Sequence, residues 1–326
     1  MKKVVVLLSL VLLLCGCGGK NNNAKVNKYI KKINNSEAYS VKGSMEIYND
    51  DDTYTYSLNV LYKKPDLYKV SLINQNNNHE QIILKNEDGV YVITPALNKS
   101  FKFQSNWPDN SSQAYLLDSL VKDIGKNYKV KSSNNDYYIT TKANYPNNPD
   151  LINQDIYFDH NGLIKEVLVK DSEGNVKIKV MFKDIDLNDH INKEEFNING
   201  LIKEENNEKP SGNLEEFIYP LYIPTNTFLN TKETIDTENG KRNILTFNGD
   251  KNFTLIEENA CFNSELEIIP VYGDPLFIND TIGALGSNAI YWTSNNIDYY
   301  LTSNDLDNND LINIASSVGN TILVGK

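Results

Sequence analysis

The chain has 326 residues, with 32 lysine and arginine residues against 43 aspartate and glutamate residues, a formal net charge of −11. That length allows one large or two ordinary domains with a sizeable core. An acidic surface of this strength excludes a nucleic-acid-binding role and is expected to gain nothing from anionic lipid headgroups.

The first element is a leader. Lys2 and Lys3 precede an apolar run from Val4 to Leu14 that only Ser9 interrupts. The run is too short to span a bilayer, which takes about 20 apolar residues. A charged start, a short apolar centre and small residues before a cut are the signature of an exported chain. Leu14-Cys15-Gly16-Cys17 is similar to a bacterial lipoprotein cleavage site. Cleavage after residue 16 leaves Cys17 as the lipid-attachment residue. The expected location is therefore extracytoplasmic, anchored to the cell membrane through a diacylglyceryl Cys17. Removal of Lys2 and Lys3 takes the net charge to −13. Of three cysteines only Cys261 then keeps a free thiol, so no internal disulfide framework is available.

Residues 17–24 are expected to form the anchor and a tether. Val26, Tyr29, Ile30 and Ile33 then fall at helical spacing. From Tyr39 the period becomes two. Tyr39, Val41, Met45 and Ile47 predict one strand, and Tyr54, Tyr56, Leu58, Val60 and Tyr62 the next, with Asp50, Asp51 and Asp52 as the turn. Further strands are predicted at 68–72, 81–85, 90–94 and 100–104. A helix follows, lined by Leu116, Leu117, Leu120, Val121 and Ile124, with Asn110 and Gln113 as a capping box. Strands resume at 137–141, 154–158, 163–170 and 177–183, with hairpin turns at 159–162 and 172–175. The predicted fold class is α+β and mainly antiparallel β, a sheet long enough that it must curl around its helices.

The charged stretch 201–213, with Pro210 and Gly212, reads as a linker between a unit at 25–200 and a smaller one at 214–326. In the second unit, 246–253 reads as a strand, a tight turn and a strand. Asp307 is placed to cap a helix carrying Leu311, Ile314, Ala315 and Val318, with Leu306 and Leu311 as a hydrophobic staple. Asp305, Asp307 and Asp310 lack the glycine and closing glutamate of a calcium loop.

The chemistry-bearing motifs are few. No glycine-rich phosphate loop follows a strand, and no HExxH or paired-cysteine zinc spacing occurs. Only three histidines could activate Cys261 as a nucleophile. Neither a catalytic residue nor a cofactor or metal is assigned. Twenty tyrosines stand out. Tyr54, Tyr56, Tyr62 and Tyr68 fall on inward-facing strand positions, where an aromatic wall could hold an acyl chain or a partner's helix, or could simply fill the core.

The stretch 91–108, YVITPALNKSFKFQSNWP, continuing into Ser112-Gln113-Ala114-Tyr115-Leu116-Leu117, resembles the YdcC-like and GerS-type lipoproteins of spore-forming Firmicutes. These are relatives of the lipoprotein carrier LolA and the sigma-factor regulator RseB. Lys64-Pro65-Asp66-Leu67-Tyr68-Lys69-Val70 is also similar, with Lys69 where the superfamily tends to have arginine. The stretches 247–255 and 310–317 are similar to the C-terminal domain of two-domain relatives. The resemblance implies a LolA-like curved half-barrel followed by a smaller α+β domain, without catalytic machinery. It further implies a scaffold role in sporulation or germination beside a cell-wall amidase, or alternatively a carrier or sensor that holds an acyl ligand in the half-barrel.

Overall fold

The computed structural model describes residues 18–49, 52–133, 136–201, 214–238 and 240–319. Cys17, Asp50, Asp51 and residues 202–213 of the predicted linker lie outside the described residues.

Among the described residues the first sheet has 12 strands and stays open. Its N-terminal strands are β1 (Ala38–Asn49), β2 (Asp52–Lys63), β3 (Leu67–Asn74), β4 (Glu80–Asn86), β5 (Gly89–Thr94) and β6 (Lys99–Phe103). After the midway helix come β7 (Lys131–Ser133), β8 (Asp136–Lys142), β9 (Asn153–Phe158), β10 (Ile164–Lys170) and β11 (Val176–Asp186). β1 pairs with both β2 and β11, so the two runs join into one antiparallel sheet. The predicted alternation is present in β1, where Tyr39, Val41 and Met45 are buried between more exposed neighbours. β3, β4 and β5 are buried on both faces. A small cluster of Leu67, Ile82, Leu84 and Ile93 packs there against Ile191 and Phe196 of the segment that covers the convex side.

Two helices lie in the concave side. In α1 (Gly18–Asn35) the stripe of Val26, Tyr29 and Ile33 is buried in the main core, each such side chain adding about 1.5–3 kcal/mol. The helix already begins at Gly18, so residues 18–24 are helical and not a loose tether. Once the buried stripe has nucleated a helix, each added turn is cheap. α2 (Leu117–Ile124) buries Leu117, Leu120 and Ile124. Its predicted capping box does not form. The residue at the cap is Leu116, without a side-chain cap. Gln113 instead donates its backbone N–H to Ser119 Oγ at 2.8 Å, and Asn110 Nδ2 turns away to Asp274 Oδ1 at 2.8 Å.

The second sheet has, among the described residues, seven strands: β12 (Thr227–Thr237), β13 (Gly240–Gly249), β14 (Phe253–Asn259), β16 (Gly273–Ile278), β17 (Thr281–Gly286), β18 (Ala289–Ser294) and β19 (Ile297–Thr302). α3 (Asn308–Ser317) packs Leu311, Ile314 and Ala315 onto one face, against Leu245, Phe247, Leu255, Trp292 and Leu301. Asp307 caps α3 as predicted, its Oδ1 accepting from Asp310 N–H at 2.9 Å. Gly249 holds the β13–β14 turn at φ 152°, where an added Cβ would lie 2.0 Å from Asn226 O. β15 (Glu267–Val271) leaves this unit and pairs in parallel with β6 at the edge of the first sheet.

Candidate functional site

The part of the concave face beneath α2 is filled by the chain itself, while its other end, at Met45, Ile83, Trp107 and Tyr115, opens into the cleft described below. Tyr62 stacks between Tyr39 and Tyr68, with ring centroids 4.7 and 4.9 Å apart, and Tyr68 meets Trp107 edge-on at 5.8 Å. Asp118 of α2 closes this ladder. Its Oδ2 accepts from Tyr39 OH at 2.9 Å and from Tyr68 OH at 3.4 Å. Burial holds the Asp118 carboxyl above its ordinary range, against the two phenol donors. Tyr62 and Tyr68 face the concave side, but α2 and the Trp107 segment cover them. Tyr56 is also buried, beneath the β16–β17 hairpin, with Phe277 6.3 Å away and its hydroxyl donating to Asn279 O at 3.3 Å. Tyr54 is half-buried and lines the space described next.

That space is a cleft of about 1290 Å³ between the half-barrel and the second unit. One wall is formed by Ile47, Tyr54 and Ile178, the other by Leu221, Phe277 and Ile312. Asn49, Asn147, Asn175, Asn279 and Asn313 give it many amide side chains, and Asp52, Asp150, Asp171 and Glu173 outnumber the one lysine, Lys177. Its walls are set by a clamp. Gln81 of β4 donates Nε2–H to Ile282 O at 3.0 Å and accepts from Ile282 N–H at 2.6 Å and from Thr281 Oγ1 at 3.1 Å. Asn74 Nδ2 donates to Asp280 O at 3.2 Å. Lys99 and Asp298 pair at 2.7 Å across the same junction. Neither Gln81 nor Asp118 stood out in the sequence. Gln81 opens an apolar strand as an ordinary edge-of-element polar residue, and Asp118 reads as a first-turn helix acid.

The acids that burial raises most clearly lie elsewhere, while Asp171 in the cleft is held below its ordinary range by the Asn175 and Glu173 donors. Asp123 is raised by burial and accepts from Gln154 Nε2 at 2.6 Å. Glu257, fully buried in β14, is pushed by burial from its ordinary 4.5 to about 7, against the Ile218 N–H and the Asn243 side chain that donate to it. Neither lines the cleft, and neither does Asp118. The Cys261 thiol is raised, first by burial and then by Asp298 and Glu258, which disfavours a thiolate nucleophile. Asp305 and Asp310 accept from Asn252 and pair with Lys251, so with Asp307 they serve turn and helix start.

The family described as "Sporulation protein YdcC-like" matches residues 1–196. The chain is 36% identical over 316 residues to "Sporulation protein YdcC" of Bacillus subtilis (strain 168), covering 94% of this chain and 93% of that one. Among solved structures, the Pseudomonas aeruginosa MucA/MucB complex matches at 9% identity and TM-score 0.31, over 91% of this chain and 98% of the other. A chain of the solved complex of the CwlD amidase from Clostridioides difficile with the GerS lipoprotein matches at 22% identity and TM-score 0.25, over 48% of this chain and 91% of the other. With the match over nearly its whole length, the chain belongs to the YdcC-like family of sporulation proteins.

Proposed function

We propose that this chain is a non-catalytic binding protein, held at the outer side of a cell membrane by a lipid on Cys17, that supports a protein partner during sporulation or spore germination. The observation that carries the reading is the packing of the concave face beneath α2. A carrier needs an empty apolar cavity of ligand size, and here Tyr39, Tyr62, Tyr68 and Asp118 fill the part of the concave face beneath α2. The cleft beside it remains for contact with another molecule. Its mix of aromatic, aliphatic and amide side chains suits a protein surface better than an acyl chain. The partner to try first is a cell-wall amidase, the kind of enzyme with which the GerS lipoprotein has been solved. The separation of the raised acids Asp118, Asp123 and Glu257 from the cleft supports the non-catalytic reading, because a general acid held protonated near neutral pH must lie within reach of a substrate, and the cleft's Asp171 is shifted the other way.

A tagged chain recovered from sporulating cells, with co-eluting proteins identified by mass spectrometry, tests this reading. Stoichiometric recovery of a wall amidase supports it. Recovery of bound lipid without any enriched protein favours the carrier reading instead. For the anchor, Cys17→Ala is expected to move the protein from the membrane fraction to the soluble fraction with its fold intact. Persistence of that variant in carbonate-washed membranes would refute lipid attachment at Cys17.

A further inference from the structure

The negative charge of this chain is spread unevenly. α1 carries five lysines and no acidic residue in 18 residues. Its apolar stripe of Val26, Tyr29 and Ile33 is turned into the core, which leaves Lys28, Lys31 and Lys32 exposed on the outer side. Lys25, Lys28 and Lys32 follow one another at helical spacing and share a face. A second basic segment lies alongside. Tyr128 OH donates to Asn27 Oδ1 at 2.8 Å and brings 125–131 against the helix, with Lys126 and Lys129 exposed. Among the described residues, none of Lys28, Lys31, Lys32, Lys126 and Lys129 takes part in an ion pair. Two nearby carboxylates are committed elsewhere. Asp159 accepts from the amides of Asn161 and Leu163, and Asp123 from Gln154.

The position of this face in the chain names its occupant. Immediately before α1 run the apolar residues Val4–Leu14 and then Cys17. A bilayer that holds either of these holds α1 at the level of its headgroups. We propose that the lysine face of α1, with Lys126 and Lys129, docks on anionic lipid headgroups and lays the helix side of the half-barrel along the membrane. The proposal rests on membrane attachment of the chain, not on the identity of the attached group. It corrects the expectation drawn from net charge alone. Acidic residues on the far side act across more than the Debye length of about 8 Å and are screened, whereas lysines at the surface attract anionic lipid by about 1 kcal/mol each, roughly fivefold in partitioning.

The test is vesicle co-sedimentation of the full 326-residue chain. Vesicles of phosphatidylcholine alone are compared with vesicles containing phosphatidylglycerol, at low and at high salt. Apolar insertion of the leader contributes to both and cancels in the ratio. The expected result is a ratio favouring the anionic vesicles that collapses in high salt. The triple variant Lys28→Gln, Lys31→Gln, Lys32→Gln lowers that ratio by about a hundredfold, the per-lysine factor above taken three times. The charge-matched variant Lys183→Gln, Lys193→Gln, Lys241→Gln, exposed elsewhere, leaves it nearly unchanged. Equal partitioning into both vesicles, or equal losses in the two triple variants, overturns the proposal. Either result leaves the Cys17 fractionation experiment to judge the anchor on its own.

Discussion

Gln81 holds the two units together through one backbone position, and removing its side chain has a calculable cost. Gln81→Ala leaves both the N–H and the C=O of Ile282 without partners, in a residue only 1% exposed. A buried polar group stripped of its partner costs about 1–3 kcal/mol, so the pair costs on the order of 2–5 kcal/mol. The loss should fall on the junction and not on either core. The two tryptophans make this visible, because Trp107 sits in the main core and Trp292 in the core of the second unit. Urea unfolding of single-tryptophan variants, followed by fluorescence, is expected to give coincident transitions with Gln81 present. With alanine, the Trp292 transition should move to lower urea, ahead of that of Trp107. Gln81→Glu keeps the length and the acceptor but turns a carboxylate oxygen toward Ile282 O, and should lose about as much. Coincident transitions with a total loss below about 0.5 kcal/mol would refute the clamp, since that is the range of neutral surface changes.

Glu257 should give the fold a pH dependence. Its carboxyl is raised from 4.5 to about 7, so the native state holds a proton that the unfolded state releases earlier. That contribution is fully present below pH 4.5 and is lost as pH rises through about 7, a span of about 3 kcal/mol. Denaturant melts between pH 5 and pH 8 should show a decline that Glu257→Gln removes; a decline of equal size in the variant would assign it to other groups. Gly249→Ala puts a Cβ 2.0 Å from Asn226 O at φ 152°. It should destabilise the second unit by more than about 1 kcal/mol, beyond the ordinary gain from removing a glycine, and a variant as stable as the parent in thermal melts would show that the β13–β14 turn re-forms without strain.

Most of the architecture was legible because its signals are local. Period-two alternation marked β1 and β2 from Tyr39 to Tyr62, and the i, i+3, i+7 stripe of Val26, Tyr29 and Ile33 marked α1. Asp307 and Asp310 announced α3 by spacing alone. What failed to show depends on contacts between distant residues. The inward direction of Tyr62 and Tyr68 followed from alternation, but whether a helix covers them depends on where residues 107–124 return. The cap of α2 misled because Gln113, three residues after Asn110, satisfies its N–H through Ser119. The cleft could not be foreseen, since Gln81 and Ile282 meet across two hundred positions of chain.

The parallel strand β15 ties the birth of this fold to its last third. Residues 267–271 complete the edge at β6, where the partners are residues 99–103. Until they arrive, β6 offers an open row of amides and carbonyls, the kind of border to which other chains add. A chain crossing a membrane N-terminus first would therefore expose that border throughout the passage of the intervening residues. Such long-range closure is slow, which makes the interval between emergence and closure the period in which this protein is most open to capture by chaperones, by proteases or by another copy of itself.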